Sequence, residues 1–202
     1  MRIFLNLLRR WPILLLLLGL LTPPAVLAQT QAGHQPKVRI STSMGDFEAE
    51  LYADKAPKTV ANFVQYVQDK HYDGTIFHRV IAGFMVQGGG YDTQYREKKT
   101  RPPVQHEGRQ ALAAGLKNTT GTLAMARTND PQSATAQFFI NVVDNAFLDP
   151  SFQSFGYTVF GKVTSGMDVV QKIRNTPTGA GGPFPTDVPR TPVVIQSITL
   201  LK

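Results

Sequence analysis

Short apolar runs separated by turn-forming residues dominate this chain from residue 37 to its end. Six runs follow one another, at 76–81, 84–87, 123–126, 138–142, 157–163 and 193–201. Apolar runs of 4–8 residues bounded by glycine, proline or asparagine are typical of strands, and many of them at short spacing indicate a sandwich or barrel. A mainly β architecture, an antiparallel barrel that is closed or nearly closed, is therefore predicted.

The remaining elements are a strand pair and two helices. Val38 and Ile40 alternate with polar residues, and Gly45-Asp46 predicts a hairpin turn into a second alternating strand. One helix is predicted after Pro57 and a second after Ser165-Gly166, each from apolar residues at helical spacing. Those residues are Val60, Phe63, Val64 and Val67 in the first and Met167, Val170 and Ile173 in the second. The helices are expected to cover the barrel ends, and the glycine- and proline-rich segment 178–190 is predicted to be a loop.

The N-terminus has the pattern of a secretory signal peptide. Arg2, Arg9 and Arg10 precede an apolar run over 13–21, and small residues stand at Val26 and Ala28. We therefore expect a cleavable signal peptide over residues 1–28, a flexible mature N-terminus over 29–36 and one domain over 37–202. The alternative is an uncleaved anchor, although the run is short for a membrane span. Removal of the signal peptide would leave no stable membrane association.

Composition excludes several function classes. Cysteine is absent, which rules out disulfides, thiol catalysis and thiolate metal sites. The four histidines have no metal-ligand spacing, and no phosphate-binding or nucleophile-elbow motif occurs, so neither a metal nor an organic cofactor is expected. Three of the basic residues behind the net charge of +7 belong to the predicted signal peptide. The densest basic run, 96–101, lacks interleaved aromatic residues, so a solvated loop is favoured over nucleic-acid binding.

The segment 77–90, FHRVIAGFMVQGGG, places one arginine among apolar side chains. Burying the Arg79 guanidinium without a polar partner would cost much free energy, which suggests a functional role. Gln87 adds an amide, and the three glycines that follow would let another group approach the backbone closely. The segment therefore predicts a site for a neutral ligand with a polar group. His78 would point to the opposite face of a regular strand from Arg79, so a structural role is favoured for it.

A second group of motifs lies further along the chain. GTLAMAR begins at Gly121, AQFFIN ends at Asn141, AFLD covers 146–149, and YTVFGKV is followed by GMDVV. Together with FHRVIAGFMVQGG, and in this order, they resemble the cyclophilin family of peptidyl-prolyl cis-trans isomerases over residues 37–201. The exported, cysteine-free form is similar to the periplasmic cyclophilins of Gram-negative bacteria. The resemblance implies an eight-stranded closed antiparallel barrel capped by two helices.

The resemblance also implies roles for individual residues. Arg79 matches the family's catalytic arginine, and Ala126 with Arg127 matches the stretch whose backbone pairs with the bound peptide. The remaining matches are pocket walls (Phe84, Met85, Phe139, Leu148) and polar rim residues (Gln87, Gln137). Met125, Phe138 and Ile140 would then belong to the core, because strand side chains alternate.

Departures from the family pattern affect ligand binding. Phe147 stands where the human cytosolic member and its close relatives have tryptophan, and Arg127 stands where they have asparagine, which implies weakened cyclosporin affinity. Phe152 falls near a position where those relatives have a pocket histidine. The expected partners are proline-containing peptides and unfolded exported proteins in the periplasm, and we expect a monomer. The competing hypothesis is a holdase that captures unfolded chains in the same groove without essential catalysis.

Overall fold

The computed structural model describes residues 35–201. Eleven strands occur there: β1 (Lys37–Thr42), β2 (Gly45–Leu51), β3 (Thr75–Ile76), β4 (Arg79–Ile81), β5 (Met85–Gly88), β6 (Thr122–Met125), β7 (Phe138–Asn141), β8 (Val159–Ser165), β9 (Thr178–Gly181), β10 (Phe184–Pro189) and β11 (Val194–Leu201). The α-helices are α1 (Pro57–Gln68), α2 (Gly108–Ala113) and α3 (Met167–Arg174), and Ala146–Leu148 forms one 3-10 turn. The mainly β prediction is confirmed.

Nine strands form one antiparallel sheet, in the order β3-β11-β1-β2-β8-β6-β7-β5-β4. The prediction of a closed eight-stranded barrel is wrong, because the sheet has nine strands and its two edge strands, β3 and β4, are not paired with each other. The two edges nevertheless lie close along the chain, since only Phe77 and His78 separate Ile76 from Arg79. The sheet therefore curls into an open half-barrel, and Arg79 begins the strand at one open edge.

The helix count and one loop also differ from the sequence prediction. α1 and α3 occur where the apolar spacing predicts them, but α2 is a third helix. The predicted loop 178–190 contains the hairpin β9-β10 instead. Gly181 and Gly182 do not break this hairpin. They make room for Tyr95, whose side chain would collide with a Cβ atom at either position.

Side-chain alternation divides the apolar residues of the sheet between two clusters. Phe138 and Ile140 of β7 belong to the main core with Met125, as predicted, and the side chains of α1 and α3 pack there too. Phe139, on the opposite face of β7, belongs to a smaller cluster with Met85 and Leu148. Consecutive strand residues point to opposite faces, so one face of the sheet builds the core and the other a separate apolar surface.

The predicted signal peptide and the segment 29–34 lie outside the described residues. Within them, Gln35 accepts a hydrogen bond from the Ala53 N–H at 2.7 Å, and Pro36 accepts one from the Leu51 N–H at 2.8 Å. Gln35 and Pro36 are thus hydrogen-bonded to the end of β2 and the residues that follow it. None of the helices in residues 35–201 is long and apolar enough to span a bilayer.

Candidate active site

The register of the sheet aligns three of the predicted site residues, together with Ala124, in a row across four strands. Arg79 of β4 lies opposite Gln87 of β5, which lies opposite Phe139 of β7, which lies opposite Ala124 of β6. Directly opposed residues share a face of the sheet, and neighbouring strands are about 4.8 Å apart. The backbone of Arg79 is therefore about 10 Å, or two strand spacings, from that of Phe139.

A cavity of about 540 Å³ opens over this row. Ten of the eleven residues that the sequence places at or near the site line it: Arg79, Phe84, Met85, Gln87, Ala126, Arg127, Gln137, Phe139, Phe147 and Leu148. The volume falls in the range of small-molecule and peptide-side-chain sites, which is about 300–1,000 Å³. Segments more than 60 residues apart in sequence thus meet at one place, as the motif pattern predicts.

Arg79 is exposed, which corrects the prediction that it is buried among apolar side chains. β4 is an edge strand, so its polar residue faces the open cavity, whereas Val80 points into the core. Within residues 35–201 the Arg79 guanidinium makes no hydrogen bond or ion pair. Its donors are therefore available to a ligand in the cavity.

The apolar wall of the cavity is fixed by the backbone around it. Phe84 and Phe147 stack with ring centroids 5.6 Å apart and planes 25° apart. The Phe84 carbonyl accepts hydrogen bonds from the Asn145 side chain at 3.0 Å and from the Val142 N–H at 3.1 Å. Phe139 and Tyr157, which also line the cavity, pack edge to face with their ring centroids 5.5 Å apart. The wall is therefore preorganised for a compact apolar group.

The polar rim is also held in place. Gln87 donates a side-chain hydrogen bond to Gln137 at 3.1 Å. A Cβ atom on Gly90 would lie 2.6 Å from the Gln137 side chain, so the glycine leaves room for that amide. The close approach that the glycine run predicts is thus made by the protein itself. The amide pair leaves donors and acceptors that suit the backbone of a bound peptide.

The Arg127 side chain is committed to the protein rather than free. Its Nε donates to the Gly156 carbonyl at 3.0 Å and its guanidinium lies 4.6 Å above the Tyr157 ring. The neighbouring Ala126 backbone pairs with the Gln137 carbonyl at 3.0 Å. Arg127 therefore shapes the wall that Tyr157 and the adjoining loop present to the cavity.

Four residues that the sequence prediction did not assign to the site also line the cavity, namely His78, Tyr91, Tyr157 and Phe184. The His78 ring stacks on Phe184 with centroids 5.3 Å apart, and it packs edge to face with Tyr91 at a centroid distance of 4.8 Å. The Tyr91 and Phe184 rings also pack edge to face, with centroids 5.1 Å apart. His78 lies just before β4, outside the strand, so the alternation that would point it away from Arg79 does not apply. Phe184 lies in the β9-β10 hairpin. The glycines of this segment are typical of a loop, so the sequence does not indicate a strand there.

Burial lowers the pKa of His78 to about 4, and the neighbouring Arg79 charge adds to the effect. Only 3 % of its surface is exposed, and its Nδ1 has no hydrogen-bond partner among the described residues. The ring is therefore neutral at physiological pH and acts as an aromatic support beneath the strand that carries Arg79.

Phe152 does not line the cavity, which corrects the position that the resemblance implies for it. Its side chain is fully exposed at the tip of the loop 149–156. Over residues 35–201, no group of three or more His, Cys, Asp or Glu side chains is placed to hold a metal ion.

The fold and the cavity together define an enzyme class. The half-barrel carries a peptide-sized groove that contains an apolar pocket and one unpaired cation, Arg79. The unpaired guanidinium of Arg79 suits electrostatic stabilisation of an acceptor atom in a bound ligand. Residues 37–200 match the family model described as cyclophilin type peptidyl-prolyl cis-trans isomerase/CLD. The chain belongs to this family and is a peptidyl-prolyl cis-trans isomerase.

Relatives from bacteria and a similar solved structure agree with this assignment. The chain is 50% identical to a peptidyl-prolyl cis-trans isomerase of Acinetobacter baylyi, over 90% of this chain and 91% of the relative. It is 51% identical to peptidyl-prolyl cis-trans isomerase B of Escherichia coli, over 81% of this chain and 98% of the relative. The crystal structure of a cyclophilin type isomerase of Cryptosporidium parvum with the dipeptide Ala-Pro superposes with a TM-score of 0.61 at 27% identity, covering 82% and 99% of the two chains.

Proposed function

We propose that this isomerase accelerates rotation about X-Pro bonds in exported proteins, and that Arg79 is its catalytic residue. The observation that carries the proposal is the placement of Arg79. Its unpaired guanidinium and the apolar wall of Met85 and Phe139 line one cavity, with the polar amides of Gln87 and Gln137 beside them. Such a site can hold a proline ring and its flanking backbone at the same time.

The chemistry of the X-Pro bond explains why one cation is useful. The amide resists rotation because the prolyl nitrogen shares its lone pair with the carbonyl, which gives a barrier of about 18–20 kcal/mol. Twisting the bond localises that pair on nitrogen, so a hydrogen-bond donor aimed there stabilises the twisted state more than either planar state. Arg79 can supply this donor at any working pH, since a guanidinium stays protonated.

The donor does not account for the whole acceleration. Shortening an isomerisation time from about 100 s to about 1 ms takes five decades, or about 7 kcal/mol. Removing one preorganised donor typically costs about 3–4 kcal/mol. We assign the remainder to the wall that holds the proline ring (Phe84, Met85, Phe139, Phe147, Leu148) and to the groups that hold the peptide backbone. These groups are the side-chain amides of Gln87 and Gln137 and the backbone of Ala126 and Arg127.

Catalytic turnover separates this proposal from a holdase. In a refolding reaction limited by proline isomerisation, we expect the purified protein to raise the rate at an enzyme concentration far below that of the refolding chain. Rescue that requires one protein molecule per refolding chain would instead support the holdase.

The proposed compartment is the periplasm, supported by the signal-peptide pattern of residues 1–28. N-terminal sequencing of the protein from a periplasmic extract should begin at Gln29. A chain that still begins at Met1 would contradict cleavage. Weakened cyclosporin binding stays a prediction from Phe147 and Arg127, and a direct titration of the purified protein measures it.

A further inference from the structure

Three of the four large apolar side chains exposed in residues 35–201 belong to the short segment 147–155, which includes the cavity residue Leu148. Phe155 faces a second cavity, which it lines with His106 and Arg109. Phe147 is 72 % exposed, Phe155 is 51 % exposed, and Phe152 is fully exposed. The other large apolar residue exposed in the described part of the chain is Leu200, in β11. Isolated exposed apolar residues are ordinary, whereas several of them in one short segment indicate a contact surface.

The loop 149–156, which we term the Phe152 loop, is joined to the cavity at both ends. Leu148 precedes it and Tyr157 follows it, and both residues line the cavity. The Tyr157 N–H donates to the Leu148 carbonyl at 2.9 Å, which closes the base of the loop. A peptide extends by about 3.3 Å per residue, so residues a few positions from a bound proline can reach the loop.

Hydrogen bonds hold the Phe152 loop in one shape. The Ser151 N–H donates to the Ser154 carbonyl at 2.8 Å, and the Ser151 hydroxyl accepts from the Ser154 N–H at 3.1 Å. From outside the loop, Arg109 donates to the Ser151 carbonyl at 3.1 Å. Because the loop is already ordered, a partner that covers Phe152 does not have to supply the free energy of ordering it.

The charges around the Phe152 loop narrow the choice of partner. The Arg109 guanidinium lies 5.8 Å from the Phe155 ring centre, and Arg127 reaches the loop through its bond to Gly156. A surface of aromatic rings bordered by cations favours apolar segments and disfavours basic ones. The continuity with the cavity favours a partner that is already bound there.

We propose that the Phe152 loop and Phe147 hold apolar residues of an unfolded polypeptide on one side of the proline bound in the cavity. The inference rests on the proposed function, because it extends the peptide groove beyond the isomerisation site. Sequence context near proline, rather than proline alone, then selects the substrate. Long unfolded chains with apolar flanks bind better than tetrapeptides.

The test compares two peptides on Phe152→Ser and on a matched control, Leu200→Ser. One peptide is the tetrapeptide Ala-Ala-Pro-Phe. The other has about 15 residues, an extended length of about 50 Å, with the same centre flanked by leucines. For Phe152→Ser we expect the dissociation constant and the KM for the long peptide to rise about fivefold, which corresponds to a loss of about 1 kcal/mol of binding free energy. Both constants should stay unchanged for the tetrapeptide. Leu200→Ser should change neither, and thermal unfolding should confirm that both variants fold.

Several outcomes would overturn the inference. The first is an equal loss of affinity of Phe152→Ser for both peptides, and the second is no loss of affinity for the long peptide. The third is the same loss of affinity when the leucines of the long peptide are replaced by serines. Self-association of the wild type that Phe152→Ser abolishes would assign the surface to a second copy, and vesicle binding that it abolishes would assign it to a membrane. Fluorescence anisotropy measures the dissociation constants without turnover. The binding inference can therefore be tested even if the protein does not catalyse isomerisation.

Discussion

The buried neutral His78 predicts a loss of stability on acidification that one substitution should remove. Its pKa is about 4 in the folded protein against an ordinary value of 6.5, because burial disfavours the imidazolium. The unfolded chain therefore binds a proton at a higher pH than the folded chain does. The stabilisation that His78 contributes is complete above pH 6.5 and is lost as pH falls towards 4.

The magnitude follows from the two pKa values. Linkage gives a loss of about 2 kcal/mol at pH 5 and about 3 kcal/mol at pH 4, relative to pH 7.5. The free energy of unfolding of a whole domain is typically about 5–15 kcal/mol, so a loss of this size is a large part of it. His78→Phe keeps an aromatic ring against Tyr91 and Phe184 but cannot be protonated.

Urea unfolding of both proteins at pH 7.5, 5 and 4 measures the effect. Burial also lowers the pKa values of His71 and His106, but their contributions are shared by the two proteins and cancel in the difference. The free energy of unfolding of the wild type should fall by about 3 kcal/mol more than that of His78→Phe by pH 4. Parallel pH profiles would refute the argument, since they would mean that His78 can be protonated in the fold at little cost.

Two further substitutions test the support of the fold and the binding of the ring. Glu107→Ala should lower the free energy of unfolding by about 3 kcal/mol, because the buried carboxylate accepts hydrogen bonds from the Lys58 and Thr59 N–H groups at the start of α1, and from the Thr59 hydroxyl. A loss below about 1 kcal/mol in chemical denaturation would contradict that role. Phe139→Ala should raise KM for a proline tetrapeptide about tenfold while changing kcat less, since it removes a wall that contacts the ring in both planar and twisted states. An unchanged KM would exclude Phe139 from the proline pocket.

Local periodicity made much of the fold predictable from sequence. The alternation in β1 and β2 and the helical spacing in α1 and α3 each depend on neighbours within one element, so they can be read without tertiary information. α2 is too short to show a helical period, and the glycines of the β9-β10 hairpin imitate a loop because Tyr95 packs over them. Closure of the barrel depends on whether two edge strands pair, and no local pattern records that.

The candidate site was predictable where motifs carry it and not where tertiary packing does. The motifs identify Arg79 and the residues opposite it, because strand register aligns residues of distant segments on one face. The exposure of Arg79 could not be predicted, since it follows from the edge position of β4. Phe184 and Tyr91 both line the cavity and pack against His78, and these contacts have no counterpart in sequence spacing.

The most direct test of the account is turnover of a proline tetrapeptide by Arg79→Ala. Arg79 lies on the surface at the sheet edge, so the variant should fold with an unchanged thermal midpoint. We expect kcat/KM to fall at least about 100-fold, which corresponds to the loss of one preorganised donor, while the dissociation constant for the peptide changes less than about twofold. Arg79→Lys serves as the matched control for charge, and it should recover part of the activity. A kcat/KM close to that of the wild type would contradict the claim that this guanidinium stabilises the twisted amide.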